Sequence, residues 1–410
     1  MIDKLLLRQD PVKIGAKIQK KDPAFPIEQL LKLDEQVRAL LVSVELLRKE
    51  KNDLAQQAKG GVTQVLRDRS IEVGKLLKEQ EAQLEVAELA LKKLELTCPN
   101  LPFDEVPEGN KAENVVVREY SQKPVFSFEP KHHLELGQIN NWFNLEAAAT
   151  MAASNFVFYR GQAAKLVYAL AMFMVKHNSR HGFEVTLPPA LVNDETLTIS
   201  GNFPKFKDDV FAVSQDGLYL IPTSEVALAN LYRNEILPVD QLPIRLTSWT
   251  SCFRREAGNY GKNERGLIRI HQFEKVELFS ICEPEKSGQE LEMMVNCAEE
   301  ILQALGLHYR VSLLAAQDCS FQSSKTYDIE VWLPGQKQYY EVSSASNCSD
   351  FQARRGKIRY RANATEKTQY VHTLNASSLA LPRLMVALME TYQKEDGTIE
   401  LPEVLKKELW

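Results

Sequence analysis

From Pro26 to Lys59 the apolar positions Leu30, Leu33, Val37, Leu40, Val44, Leu47, Leu54 and Ala58 return at alternating spacings of three and four, broken only at Lys51. That is a heptad seam, and it commits the chain to a long helix whose apolar stripe needs a partner. After Gly60-Gly61 a second run puts Leu66, Val73, Leu77, Leu84, Ala87, Leu91 and Leu94 on one stripe, with Ser70 and Gln80 filling the intervening seam positions. Two such helices joined by a Gly-Gly break fold back as an antiparallel hairpin. At 1.5 Å per residue, helices of about 34 residues each reach roughly 50 Å. The simplest use of such a hairpin is structural or dimerising. Charge at its turn points elsewhere: Arg48, Lys49, Lys51, Lys59, Arg67 and Arg69 face only Glu50, Asp53 and Asp68 between positions 48 and 69. A locally basic tip suits a probe that tracks phosphates.

The rest of the 410-residue chain is long enough for a further domain with a sizeable core. A formal net charge of −5 gives no whole-molecule attraction to polyanions, so any nucleic-acid contact has to come from a local patch. Six cysteines lie scattered with no C-x-x-C pair, which argues against a disulfide framework and a cysteine zinc site. The opening MIDKLLLRQDPVK lacks an uninterrupted apolar core, and no segment approaches the roughly 20 apolar residues that span a bilayer. A cytoplasmic protein with no membrane partner is expected.

The hairpin ends at Thr97-Cys98-Pro99-Asn100-Leu101-Pro102, and Pro107, Gly109 and Pro124 punctuate what reads as a linker to about Pro130. The expected division is residues 1–110, with the arm at about 27–96, and residues 111–410. In the second part Ala163 to His177 reads as an amphipathic helix. Strand-like runs follow at Leu218 to Ile221, Arg269 to Phe279, Ile329 to Leu333 and Tyr339 to Ser344, with helices at Gly288 to Leu305 and Leu379 to Tyr392. Without a repeating β-α unit, this pattern favours an α+β fold on an antiparallel sheet.

Two stretches carry chemistry. The first is Phe253-Arg254-Arg255-Glu256-Ala257-Gly258, continued by Gly261, Arg265 to Arg269, and His271 to Glu277. Its four arginines and its glycines suit a strand–loop–strand that grips a polyphosphate. The second pairs Lys325 to Trp332 with Glu341-Val342-Ser343-Ser344, whose carboxylate and hydroxyl oxygens suit Mg²⁺ carrying a nucleotide. His177 and His181 have the spacing of a helical metal pair, but no third ligand is evident in the sequence, and they read as surface histidines.

Taken in order, Pro222-Thr223-Ser224-Glu225, the two stretches above, Phe351-Gln352-Ala353-Arg354-Arg355 and His372-Thr373-Leu374-Asn375 resemble successive landmarks of bacterial-type seryl-tRNA synthetases, and the likeness covers essentially the whole chain. It implies an N-terminal antiparallel coiled-coil arm that binds tRNA, plus a class II synthetase catalytic domain. Motif 1, around Ala163 to Pro189, would form a homodimer interface; motif 2 would run from Thr250 to Glu277 and motif 3 from Asn375 to Glu390. By the same resemblance Thr223, Ser224, Glu225, Glu277, Asn375 and Ser377 receive L-serine. Arg254, Arg255, Glu256, Glu341, Val342, Ser343, Ser344 and Arg383 bind ATP, with Arg254, Glu256 and Arg383 catalytic, and Glu341 and Ser344 hold Mg²⁺. The basic residues of the arm tip would contact tRNA(Ser), with tRNA(Sec) a second candidate.

The chain also departs from that family. Asn375-Ala376-Ser377-Ser378 and Pro382-Arg383 stand where Asn-Gly-Ser-Gly and Gly-Arg are usual, and Gln317, Ser320, Ala153 and Asn155 replace the usual glycines and an arginine. Two alternatives compete with a serine–tRNA ligase. One is a diverged paralogue that activates serine or an analogue for another acceptor or confers inhibitor tolerance; the other is a non-catalytic RNA-binding relative. Retention of Arg254, Glu256, Glu277, Glu341 and Arg383 counts against the second, and the basic arm counts against the first.

Overall fold

The computed structural model describes residues 1–257, 266–363 and 365–409, and the chain divides into two compact units, Ile2–Cys98 and Pro99–Trp410 with Met1. The smaller unit is built on α1 (Ile27–Gln57) and α2 (Gln64–Leu96), of 31 and 33 residues. Between them a short 3-10 turn ends at Gly61, whose φ of +134° a side chain would oppose. Thr63 then caps α2 by accepting from the Leu66 amide. The seam is closed at Leu30, Val37, Val44, Val73, Leu77, Leu84, Ala87 and Leu91, while Leu54, Ala58 and Leu66 near the tip are only half-buried.

Leu33, Leu40, Leu47 and Leu94 of the seam are also only half-buried, and beside Leu33 the charged Asp34 is buried. The cause is Arg8, which donates from Nε and Nη2 to both carboxylate oxygens at 2.8 and 2.6 Å, while Arg38 adds a third contact at 3.1 Å. This fork holds the Asp34 carboxyl below its ordinary range, against the opposing effect of burial.

The larger unit is organised by a sheet of eight strands. In chain order these are β1 (Val115–Tyr120), β2 (Glu184–Thr186), β3 (Ile244–Phe253), β4 (Gln272–Cys282), β5 (Tyr309–Leu313), β6 (Lys325–Leu333), β7 (Gln338–Asn347) and β8 (His372–Ala380). Their spatial order is β1-β5-β6-β7-β8-β4-β3-β2, antiparallel throughout except that β2 runs parallel to β3. The stretch read as a linker therefore contains an edge strand: Val115, Val116 and Val117 are β-branched and pair with β5. One face of the sheet packs on helices α3 (Gln162–Arg180), α4 (Ser287–Ala304) and α5 (Leu381–Thr391), with Leu278, Val331, Leu374 and Ala376 in the shared core. The other face, over β7, β8, β4 and β3, is left for the site.

The hairpin's stability comes from its seam, so truncations should cost in proportion to burial. Leu84→Ala is expected to lower the arm's stability by about 2–3 kcal/mol, whereas Leu46→Ala, at a residue 63% exposed, stays within about 0.5 kcal/mol. Amide hydrogen exchange across residues 27–96 measures both; equal protection in the two variants would remove the seam as the source of stability.

Candidate active site

Two adjacent central strands set the site. Alternation along β4 turns Val276 and Leu278 to the helix layer and Lys275 and Glu277 to the open face; along β8, Leu374 and Ala376 face the helices while Asn375 and Ser377 face the opening. A cavity of about 200 Å³ lies on that face. Arg254, Glu256, Lys275, Glu341, Ser377 and Arg383 converge on it, with Phe273, Val342 and Pro382 among its apolar walls.

Behind Lys275 is a buried polar cluster, of which Thr223, Glu225, Glu277 and Asn375 do not themselves line the cavity. Glu277 is 1% exposed, paired with Lys275 Nζ, and it accepts from Thr223 Oγ1 at 3.1 Å. Lys275 Nζ also donates to Thr223 Oγ1 at 2.6 Å. Burial pushes the Glu277 carboxyl up, opposed by Lys275 and Thr223. Below it Glu225 Oε1 accepts three amide donors: Gln352 at 2.7 Å, Asn375 at 3.1 Å and Gln322 at 3.3 Å. Ser224 is fully buried and bonded to Thr250 Oγ1 at 2.7 Å, so it holds the loop to β3 and does not line the cavity.

Elsewhere the cavity wall is rich in arginine. Arg383, in the first turn of α5, donates to the Glu341 backbone oxygen at 2.8 Å and lies 3.3 Å from the Glu341 carboxylate. Arg254 reaches over the Phe273 ring at 5.3 Å and donates to the Pro222 oxygen at 3.4 Å. Glu256, at φ +51°, pairs with Arg269 at 2.6 Å. Arg255 is exposed and does not line the cavity; its amide donates to the Asp209 oxygen at 2.8 Å. Ser343 is buried and donates to the Ser377 oxygen. Ser344 pairs across the strands with Asp328, whose enclosed Oδ1 has no hydrogen-bond partner among the described residues. Burial and the neighbouring Glu341 push that carboxyl well above its usual range. Gly258, Gly261 and Arg265 of the arginine-rich stretch lie outside the described residues.

Sequence reasoning gave no individual role to Lys275, Asp328 or Arg269, although each lies in a stretch singled out for its chemistry. Lys275 and Asp328 alternate with apolar residues on strands, the pattern of ordinary solvated charges, and only the fold encloses them. On the arm, Arg48 pairs with Glu81 at 2.8 Å and Arg69 with Glu50 at 2.7 Å and Glu72 at 2.9 Å. Lys49, Lys51, Lys59 and Arg67 are exposed, with no ion pair among the described residues.

The unusual motif 3 residues take a definite place. Ala376 is fully buried in the helix-side core, and Ser378 is fully buried with its hydroxyl donating to Asn178 Oδ1 at 3.2 Å. Neither side chain enters the cavity. Pro382 sits in the first turn of α5, where a missing N–H is harmless. Asn155 has φ +62°, a region asparagine tolerates better than most residues.

Comparison with known proteins agrees with this architecture. Residues 1–102 match the family described as Seryl-tRNA synthetase N-terminal domain, and residues 209–392 match the tRNA synthetase class II core domain (G, H, P, S and T). The chain is 42% identical to Serine–tRNA ligase 2 of Clostridium acetobutylicum, over 99% of this chain and 98% of that protein. It is 45% identical to the Serine–tRNA ligase of Leptospira biflexa, over 99% of both. Seryl-tRNA synthetase from Pyrococcus horikoshii complexed with ATP superposes with a TM-score of 0.94 at 34% identity, covering 99% of this chain and 98% of that one.

Two outcomes are expected from the site. Burial, then the charge of Glu277, raises the Glu225 carboxyl from its ordinary 4.5 to about 7. Between those values the folded chain keeps a proton that the unfolded chain has lost, so this group's contribution to stability falls as pH rises. Glu225→Gln keeps the oxygen that accepts the three amides and removes the titration. Its Tm relative to wild type should therefore climb by several degrees from about pH 5 to about pH 7.5, and a flat difference would refute the assignment. Second, Ala376→Gly/Ser378→Gly should leave KM for ATP and serine within about twofold while lowering stability by about 1–2 kcal/mol, because glycine weakens a strand interior and a packed methyl is lost. A tenfold change in either KM would place these side chains in the pocket.

Proposed function

The chain belongs to the seryl-tRNA synthetase family of class II aminoacyl-tRNA ligases, joining serine to tRNA with ATP, and from that premise we propose how its residues divide the reaction. The observation that carries the division is a cavity whose wall holds Lys275, the partner of the buried Glu277 and Thr223, together with Arg254 and Arg383. Serine occupies the end at Lys275. Glu277 meets its ammonium group, Ser377 and Thr223 meet its hydroxyl, and Lys275 keeps Glu277 ionised despite burial. Asn375 and Glu225 brace this end from below. Alanine is rejected because groups built for a hydroxyl would be left unpaired.

ATP lies toward the arginines. Arg254 orients the serine carboxylate against the α-phosphorus, and Arg383 draws the γ-phosphate, so attacking oxygen and leaving pyrophosphate stand in line. The carboxylate oxygen forms the new P–O bond, the α–β bridge breaks, and pyrophosphate leaves. The terminal ribose hydroxyl of tRNA then attacks the seryl carbonyl and AMP departs. No side-chain nucleophile takes part. Glu256 holds Arg269 at the cavity wall. The oxygens of Glu341, Ser344 and Asp328 fit Mg²⁺, a hard cation that takes oxygen ligands, and the enclosed, unpartnered Asp328 Oδ1 is the observation in favour. Bound there, Mg²⁺ would neutralise phosphate charge.

The arm presents Lys49, Lys51, Lys59 and Arg67 to the tRNA backbone, supported by Arg48 and Arg69, with tRNA(Ser) the acceptor and tRNA(Sec) a further candidate. A homodimer through α3 and the β2 edge accounts for the exposed Tyr168, Met172, Val185 and Leu187, which are 51%, 42%, 51% and 83% exposed. No helix among the described residues is long and apolar enough to cross a membrane. With every cysteine free and buried, we place the protein in the cytoplasm.

The division of labour is tested by replacing Leu30–Leu94 with a short linker. Serine-dependent pyrophosphate exchange should persist within about threefold of wild type, while charging of total tRNA falls by more than a hundredfold. Charging at the normal rate would refute the role of the arm; loss of exchange in the full-length protein would refute serine activation.

A further inference from the structure

The end of α3 and the middle of α4 bring together four side chains far from the cavity. His177 and His181 come from the last turn and C-cap of α3; Cys297 and Glu300 lie one turn apart on α4. One nitrogen of each histidine and the Cys297 Sγ lie within 4.8 Å of one another. Glu300 Oε2 is 3.0 Å from His181 Nε2 and 3.5 Å from His177 Nε2. The two imidazole centroids are 4.5 Å apart. His177 Nε2 is buried with no hydrogen-bond partner of good geometry among the described residues. A solvent-open groove runs past His181, Cys297 and Glu300 and gives an ion a way in.

We propose that His177, His181, Cys297 and Glu300 form a zinc site that clamps α3 to α4. The donor set is two imidazole nitrogens, one thiolate and one carboxylate, which suits a borderline-soft tetrahedral ion and not Mg²⁺. Neighbouring turns on each helix supply two ligands apiece. Small rotamer changes bring the two histidine nitrogens and the Cys297 Sγ, now within 4.8 Å of one another, to the roughly 3.5 Å separation that follows from metal–ligand bonds of 2.0–2.3 Å, and Glu300, beside both imidazoles, supplies the fourth donor. An alternative reading, one imidazolium paired with Glu300, leaves His177 Nε2 unsatisfied. Burial and the neighbouring His181 instead hold His177 toward the neutral, metal-binding form.

On binding, the Cys297 S–H bond breaks, a sulfur–zinc bond forms, and the proton passes to buffer with no change of oxidation state. Without metal the thiol stays protonated, pushed up to about 12 by burial and Glu300. Its Sγ donates to Asn178 Oδ1 at 3.4 Å. Asn178 donates in turn to Thr247 at 3.0 Å, and Thr247 to the Glu277 backbone oxygen at 2.8 Å. Metal binding therefore withdraws the thiol donor from Asn178 Oδ1, which keeps the Ser378 hydroxyl at 3.2 Å, so this relay to the strand does not depend on the zinc.

The test uses the full-length protein stripped with a chelator and held in saturating Mg²⁺, so that the nucleotide site is not the reporter. Co²⁺ should bind once per chain, with a thiolate-to-cobalt charge-transfer band and visible bands of tetrahedral strength. Zn²⁺ should displace it, release about one proton per chain and raise Tm. Cys297→Ser should abolish the charge-transfer band. His181→Ala and Glu300→Gln, at partly exposed positions that fold without difficulty, should each weaken Zn²⁺ binding at least tenfold and cancel the rise in Tm, with serine-dependent pyrophosphate exchange unchanged. Absence of the cobalt spectrum in wild type, or Zn²⁺ affinity equal in wild type and both surface variants, would overturn the proposal.

Discussion

A carboxylate cannot stay ionised in the middle of a sheet unless its charge is answered locally, and Glu277 stands there at 1% exposure. Lys275, two residues earlier on the same strand, turns to the same face and supplies the counter-charge, and Thr223 supplies a hydroxyl to both. Much of the domain's construction follows. The loop before Glu225 must lie over β4 to deliver Thr223, and Ser224 fixes it there through Thr250. The second carboxylate this brings in, Glu225, is buried too, and it is surrounded by neutral amides instead of a cation. The two buried acids thus differ in their company, Glu277 beside a cation and Glu225 among amides.

The arm obeys a different economy of forces. Its seam is apolar and its tip is not, so burial declines from Leu30 and Leu91 toward Leu54 and Leu66. The cross-helix ion pairs Arg48–Glu81 and Arg69–Glu50 do not replace the missing burial, because exposed pairs of that kind contribute little, about 0–1 kcal/mol each. The tip is thus both the least stable and the most basic part of the hairpin, suited to adjusting to a polyanion.

Legibility in the sequence followed the range of the interaction. The heptad stripe, the Gly-Gly break and the strands around Tyr339 and Ile329 are local patterns, and the helical arm and antiparallel class II core carry them. Asp34 was not legible because its counter-charge, Arg8, lies 26 residues away on another helix. The edge strand at Val115–Tyr120 was hidden by flanking prolines that read as a linker. Lys275 looked like any strand lysine until Thr223, 52 residues earlier, was placed over it. His177 and His181 had the spacing of ligands but lacked Cys297 and Glu300, which arrive more than a hundred residues later.

The replaced glycines show why a motif read as a string can mislead about a pocket. Asn375, Ala376, Ser377 and Ser378 are contiguous, but a strand deals them to opposite faces. The residues at the odd positions, Asn375 and Ser377, address Glu225 and the cavity; those at the even positions address the helices. A methyl at Ala376 fills core space beside Leu278, and the Ser378 hydroxyl gives Asn178 Oδ1 a second donor besides Cys297. These substitutions therefore alter the packing behind the sheet, where α3 and α4 meet it. They leave in place every polar atom that the cavity presents from this strand.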